Sequence, residues 1–268
     1  MASTLPTHRT LSMIQRYWEL LYVLVSRNIK VRYRGSLVGI YWSLLNPLIM
    51  TGLYTAIFGA TFAEYFNNSI VDYVLAAFTG LVVIHFFNGS TSQALLSVVE
   101  NGVLLNKIRL PMSIFPMSMV GANVFQFCVG MLPLLLIVTW LKSHSLISLL
   151  ALFLPLISLV WVCMGIGFLL SGLYVFYRDL GYFYELVRFI LGISSPVFYP
   201  AEIVPEAVAK FLILNPLIPI IESIRQISLS GNLPELSLIG KSLISSLIIW
   251  FLGWSCFRWW QEQYMDLL

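Results

Sequence analysis

Hydrophobic and polar positions along this chain are segregated into six long apolar stretches joined by short polar segments. The stretches cover about residues 37–62, 71–98, 114–140, 146–176, 182–199 and 238–259. A helix needs roughly 20 apolar residues to cross ~30 Å of hydrocarbon, and five of the stretches provide them; the fifth is barely long enough. Apolar side chains run through each stretch without alternating, which excludes a β-barrel. In lipid, each backbone amide needs a partner within its own segment, so the stretches are expected to be helices. The fold class expected is an all-α membrane protein with six transmembrane helices.

Two further segments break this pattern. From Ser12 to Arg34, Ile14, Tyr17, Leu21, Leu24 and Val25 recur at spacings of three and four, with Arg16, Glu19, Arg27, Lys30 and Arg34 on the other side. This predicts an amphipathic helix lying in the membrane interface with its stripe in lipid; the alternative is a helix packed on its own bundle or on a partner. Residues 1–35 are thus set apart as a tail plus interface helix, and 36–268 as the transmembrane domain. Between the fifth and last stretches, Pro196, Pro200, Pro205, Pro216, Pro219 and Pro234 cut the chain into pieces too short to span. A re-entrant pair of half-helices over about 201–227 is expected, because broken backbone at membrane depth must be buried in protein. A seventh, kinked span is the alternative.

Composition agrees with lipid as the solvent: 59% of residues are hydrophobic and 10% charged, more apolar surface than a water-soluble chain of 268 residues could hide. Six of the 15 basic residues, Arg9, Arg16, Arg27, Lys30, Arg32 and Arg34, precede the first stretch. No nucleic-acid-binding domain follows them, so they read as a cytoplasmic membrane-surface segment. With both termini inside, only Lys142, Lys210, Arg225 and Lys241 fall outside, the bias expected of a bacterial inner-membrane protein. Residues 1–30 lack the charged, apolar and small-residue order of a cleaved leader. Cys128, Cys163 and Cys256 lie far apart in apolar stretches and read as buried hydrophobes.

Enzyme chemistry is scarce. GxxxxGK[ST], HExxH and GxSxG patterns are missing, and His8, His85 and His144 are scattered. His85 alone lies at membrane depth, as a packing residue or part of a pathway. With no energy source of its own, the chain is expected to conduct passively or to be driven by another polypeptide.

Four local patterns favour the second option: RNIKVRYRGSLVGIYWSLLNPL at 27–48, ENGVLLNKIRLP at 100–111, FYRDLGY at 176–182 and NPLIPIIESIR at 215–225. In this order and spacing the chain resembles, over nearly its whole length, the permease subunit of type-2 ABC transporters that export polysaccharide such as O-antigen, capsule or teichoic acid. The resemblance implies a homodimer, each copy docking one ABC ATPase subunit. ATP and Mg would be bound by that partner, with no cofactor or metal in this chain. It also implies that residues 100–111 form a coupling helix. Val103, Leu104 and Ile108 would fill a groove of the ATPase, with Lys107 and Arg109 at its rim. Arg178 and Asp179 would form a second ATPase-facing loop, or simply cap a helix end.

Arg32 and Arg34 are expected to bind phosphates of membrane lipid or of a lipid-linked substrate. Glycan export calls for surfaces that hold sugars weakly, and aromatic rings accept the apolar face of a pyranose. Tyr41 and Trp42 near the inner mouth, Phe86 and Phe87 deeper, and Phe198 and Tyr199 at the outer break are the candidate lining. Glu222 and Arg225, three apart on one helical face, are expected to pair at an outer gate. The expected function is export of lipid-linked or nascent polysaccharide across the inner membrane. A permease for a small drug or lipid and a membrane-embedded transferase are the alternatives.

Overall fold

The computed structural model describes residues 13–66, 68–107, 110–205, 212, 215–230 and 235–267. All regular structure among them is helical. The helices are α1 (Met13–Arg32), α2 (Trp42–Phe62), α3 (Ile70–Glu100), α4 (Gly102–Lys107), α5 (Ile114–Ser143), α6 (Leu146–Ala151), α7 (Phe153–Phe176), α8 (Leu180–Ser194), α9 (Leu217–Ser230) and α10 (Leu236–Leu267).

Local chemistry sets their ends. Gly35 and Gly39 take left-handed φ values of 78° and 57°, which lets the chain turn sharply from α1 into α2. Ser69 is extended, and its hydroxyl accepts the Asp72 N–H at 3.2 Å, capping α3. His144, with φ 47°, closes α5 by donating its N–H to the Trp140 carbonyl at 3.0 Å. Five segments are long and apolar enough to cross a bilayer: Gly39–Tyr65, Ile70–Glu100, Ile114–Ser143, Leu146–Phe176 and Leu236–Tyr264. They match the first four expected spans and the last. The fifth stretch forms α8, 15 residues long and so about 22 Å, less than the ~30 Å of hydrocarbon. Ser195 turns extended ahead of Pro196, which cannot continue a helix.

At the centre, α3 packs against α2, α5, α7 and α9. Val82, Val83, Phe87, Leu135, Val162 and Ile224 close the main core around it. Alongside it, α7 and α10 pack in parallel. Ser158 meets Ser242, a Cβ on Gly165 would lie 2.5 Å from the Ile249 carbonyl oxygen, and Gly172 faces Phe257 and Tyr264. Glycines here let the two backbones touch.

That parallel packing dictates the path between the two helices. The last turn of α7 shares a core with Leu105 of α4, whereas α10 begins at the opposite end of the bundle. Residues 177–235 must therefore carry the chain back. Most of the climb belongs to α8: Tyr184 bonds to Thr91, and Arg188 donates to Ser92 at 2.7 Å. Beyond it, non-helical residues reach Gly80 through Val197 and Tyr73 through Phe198. The 14-residue α9 is a buried half-length helix. It starts at Asn215, whose amide donates to Leu191, Ser194 and Ser195. It ends near the Asp72–Lys142 ion pair, where Ser228 meets Thr139 at 2.9 Å. The segment expected to descend before it, 206–211 and 213–214, lies outside the described residues.

Two further expectations change. The stripe of α1 is not turned to lipid: Tyr17, Leu21 and Leu24 pack into the core at the α4 end, and Val25 contacts Gly121. The reason is a better partner than lipid, since Tyr17 donates to Met117 and the buried Asn28 to Ser118. A second apolar row, Ile14, Trp18 and Tyr22, remains exposed. Cys163 is buried as expected, but Cys128 is exposed on α5.

Candidate functional site

Along α2, Tyr54, Phe58 and Phe62 recur every four residues and so share one face. Their rings stack with centroids 6.1 and 5.9 Å apart and planes within 20°. The Phe198 ring lies on Tyr54 at 3.5 Å and 18°. At the other end, Phe62 meets Tyr65 and Tyr73. The outcome is an unbroken aromatic ladder from the end of α2 to the non-helical segment after α8. Beside it, Leu45, Leu48, Ile49, Leu53 and Ile57 of α2 are exposed.

Phe198 is held where it is by an arginine. Arg225 of α9 donates Nη2 to the Val197 carbonyl at 2.9 Å and Nε to the Ala76 carbonyl at 3.2 Å. Tyr73 donates its hydroxyl to the Phe198 carbonyl at 3.0 Å. Gly80 makes the space, because a Cβ there would lie 3.0 Å from Val197 and 3.3 Å from Arg225 Nη2. The expected Glu222–Arg225 pair is corrected accordingly. Arg225 is buried against backbone carbonyls, while Glu222 faces a groove it shares with Lys241. Among the described residues the ion pair within 4.0 Å is Lys142–Asp72.

Arg32 is also drawn inward. It donates to Gln93 of α3 and to Asn123 and Gln126 of α5, the Asn123 bond measuring 3.2 Å. Burial lowers its pKa, with Tyr33 opposing. Two cavities share Arg32 and Gln93. One, of about 580 Å³, holds Arg27 and Glu100; the other, of about 200 Å³, reaches His85 and Phe86. Arg34 stays exposed beyond the end of α1.

At the same end, α4 presents Val103, 71% exposed, and Lys107 one turn on. Leu105 points inward and is buried, and Leu104 packs partly against that core. Ile108 and Arg109 lie outside the described residues. Arg178 and Asp179 are exposed where α7 passes into α8. They do not pair: the Arg178 guanidinium lies 5.7 Å from the Tyr174 ring centroid, and the Asp179 backbone carbonyl accepts the Tyr182 N–H at 3.1 Å.

Residues 19–229 match the model of the ABC-2 type transporter family. The chain belongs to this family. It is accordingly a multi-pass membrane protein, with five segments long and apolar enough to span. Among curated ABC-2 relatives, it is 28% identical over 263 residues to the O-antigen export system permease protein RfbA of Klebsiella pneumoniae, covering 94% of this chain and 95% of that protein. The Myxococcus xanthus protein of the same name is 26% identical over 252 residues, covering 90% and 93%. A capsule polysaccharide export inner-membrane protein, CtrC of Neisseria meningitidis, is 20% identical over 200 residues, 73% of each chain.

In this ABC-2 protein the expected lining residues are separated. Phe198 joins the ladder, and Tyr199 donates its hydroxyl to the Ile193 carbonyl at 2.8 Å beside it. Tyr41 and Trp42 are exposed at the opposite end of α2. Phe86 packs edge-on to Phe127 at 5.3 Å, and Phe87 is 1% exposed in the core. Tyr54, Phe58 and Phe62 were missed, although their four-residue spacing was a readable signal.

Proposed function

We propose that the chain is the membrane subunit of an ATP-driven exporter that moves lipid-linked or nascent polysaccharide from the cytoplasm across a bacterial inner membrane. Membership of the ABC-2 family supports transport, and relatives named for O-antigen and capsule export support the substrate class. The observation that carries the reading is the ladder of Phe198, Tyr54, Phe58 and Phe62 beside the open face of α2. Stacked rings offer successive apolar platforms to pyranose faces without fixing sequence, and the equatorial hydroxyls stay free for water.

A second copy of the chain completes the pathway in this reading. The exposed faces of α2 and α8, including Tyr182, Phe183, Leu186 and Phe189, would be shared between partner and substrate. The α4 end faces the cytoplasm with both termini, and two ATPase subunits dock there on Val103, Leu104 and Lys107. ATP and Mg belong to those subunits. The chain crosses the bilayer six times, the fifth crossing being α8 together with the non-helical residues to Phe198; the parallel packing of α7 and α10 supports this. The buried half-helix α9 supports the re-entrant reading of 201–227, with Glu222 and Arg225 at the outer gate.

The test is transport. Vesicles containing the chain and its co-purified ATPase should move the host's lipid-linked glycan only when ATP is supplied, and the chain alone should move none. Glycan movement by the lone chain, or failure of any ATPase to co-purify, overturns the proposal.

A further inference from the structure

At the foot of α8 lies a cavity of about 330 Å³, away from the aromatic ladder. Its walls include Tyr174 from the last turn of α7, Arg178 from the connecting loop, and Tyr182, Glu185 and Arg188 from α8. This is within the roughly 300–1,000 Å³ of small-molecule sites. Two guanidinium groups share it, and neither has a carboxylate within 4.0 Å among the described residues. Arg188 uses Nη1 on Ser92 at 2.7 Å, which fixes the side chain and leaves its other donors for a ligand. Arg178 is steadied over the Tyr174 ring at 5.7 Å, an arrangement that leaves the guanidinium edge open. Tyr182, 82% exposed, stands at the mouth.

We infer that this cavity binds the phosphate-bearing sugar at the carrier end of the exported chain, a sugar phosphate or pyrophosphate. This rests on the polysaccharide-export reading above and names where that substrate is first held. Arginine forks match phosphate oxygens in pairs. Glu185 shares the wall and offsets one of the two positive charges, which disfavours a bare anion. A carboxylate beside two forks instead suits a ligand that carries hydroxyls as well as phosphate, and the tyrosine rings supply a face for the sugar. Asp179, next in sequence to Arg178 and exposed, adds a second negative charge outside the lining. From this foot, the exposed stripe of Phe183, Leu186, Phe189 and Ile190 leads along α8 toward Phe198.

Binding is measured on the complete transporter, chain plus ATPase, in phosphatidylcholine nanodiscs. The probe is farnesyl pyrophosphoryl-N-acetylglucosamine; inorganic pyrophosphate and phosphatidylglycerol are comparison arms. Arg178→Ala and Arg188→Ala are each expected to weaken probe binding roughly tenfold or more, the loss of a charge-assisted fork. Arg188→Lys keeps the charge and the fold but not the fork, and is expected to weaken it as well. Tyr182→Ala, at an exposed position, should weaken the sugar probe several-fold and leave pyrophosphate unchanged. Arg16→Ala, on the exposed side of α1, should change neither. Unaltered probe binding in both arginine variants overturns the inference, as does phosphatidylglycerol competing as well as the probe, which would make the cavity a lipid-headgroup site. ATP-driven glycan export is followed in parallel. Export without probe binding sinks this inference alone, whereas absence of export sinks the function it rests on.

Discussion

A single side chain, Arg225, decides how the outer end of the molecule is built. Its spacing from Glu222 suggested a local ion pair, but two carbonyls brought close by tertiary packing, those of Ala76 and Val197, compete better for its donors. Hydrogen bonds to a charged group contribute about 1.5–3 kcal/mol, more than an exposed i, i+3 pair. Arg225→Met should therefore lower stability by about 2 kcal/mol or more, read as a reduced melting temperature in detergent, and should lower export because Phe198 loses its anchor. Glu222→Gln should leave the melting temperature within experimental error. Equal losses in the two variants would restore the paired gate. Arg32 follows the same logic at the other end: sequence placed it among surface cations, and three side-chain amides on α3 and α5 draw it inward. No local pattern announces Gln93, Asn123 and Gln126 as its partners, because their convergence depends on how helices far apart in sequence meet.

Among the elements, the contact between α7 and α10 sets the topology, and glycine makes it possible. Gly253 lies against the Gly165 backbone, whereas Gly240 of the same helix has open space where a Cβ would be. Gly253→Ala forces two backbones apart, which costs on the order of 1–3 kcal/mol. Gly240→Ala should be neutral or stabilise by up to about 1 kcal/mol through helix propensity. Thermal unfolding of the two variants checks the sign of each. The ladder on α2 makes a separate prediction. Phe58→Leu removes one ring from the stack but keeps an apolar side chain beside lipid, so abundance should hold while glycan export falls several-fold; Phe58→Tyr should restore it. Five of the helices were legible as long apolar runs, because lipid leaves a helix no other way to satisfy its amides. In the fifth run hydropathy counts Val197, Phe198 and Tyr199 with the helix, although Pro196 had already ended it. The ladder was readable from spacing alone; the packing of α1 was not, since one stripe of Tyr17, Leu21 and Leu24 suits lipid and protein alike.

For the whole molecule, the packing of α7 parallel to α10 constrains how the chain is threaded. Two consecutive full spans connected by a simple loop would be antiparallel, so a passage back along the bundle must lie between them. In the α8 region, 15 helical residues supply about 22 Å, and the non-helical residues that follow carry the chain on past Gly80 to Tyr73, near the start of α3. Non-helical backbone is tolerable at that depth because Arg225 and Tyr73 serve the Val197 and Phe198 carbonyls. In the proposed six-span topology, Val103 of α4 and Tyr182 at the foot of α8 share one side of the membrane, while His144 and Tyr199 share the other. In a variant whose three native cysteines are replaced, single cysteines at these four positions give the check. A membrane-impermeant maleimide applied to intact spheroplasts should label His144→Cys and Tyr199→Cys, and should reach Val103→Cys and Tyr182→Cys only after the membrane is opened. Labelling of Tyr182→Cys and Tyr199→Cys from the same side would mean that α8 does not cross. The return from the end of α7 to the start of α10, which their parallel packing requires, would then have to be made elsewhere between Tyr199 and Leu236.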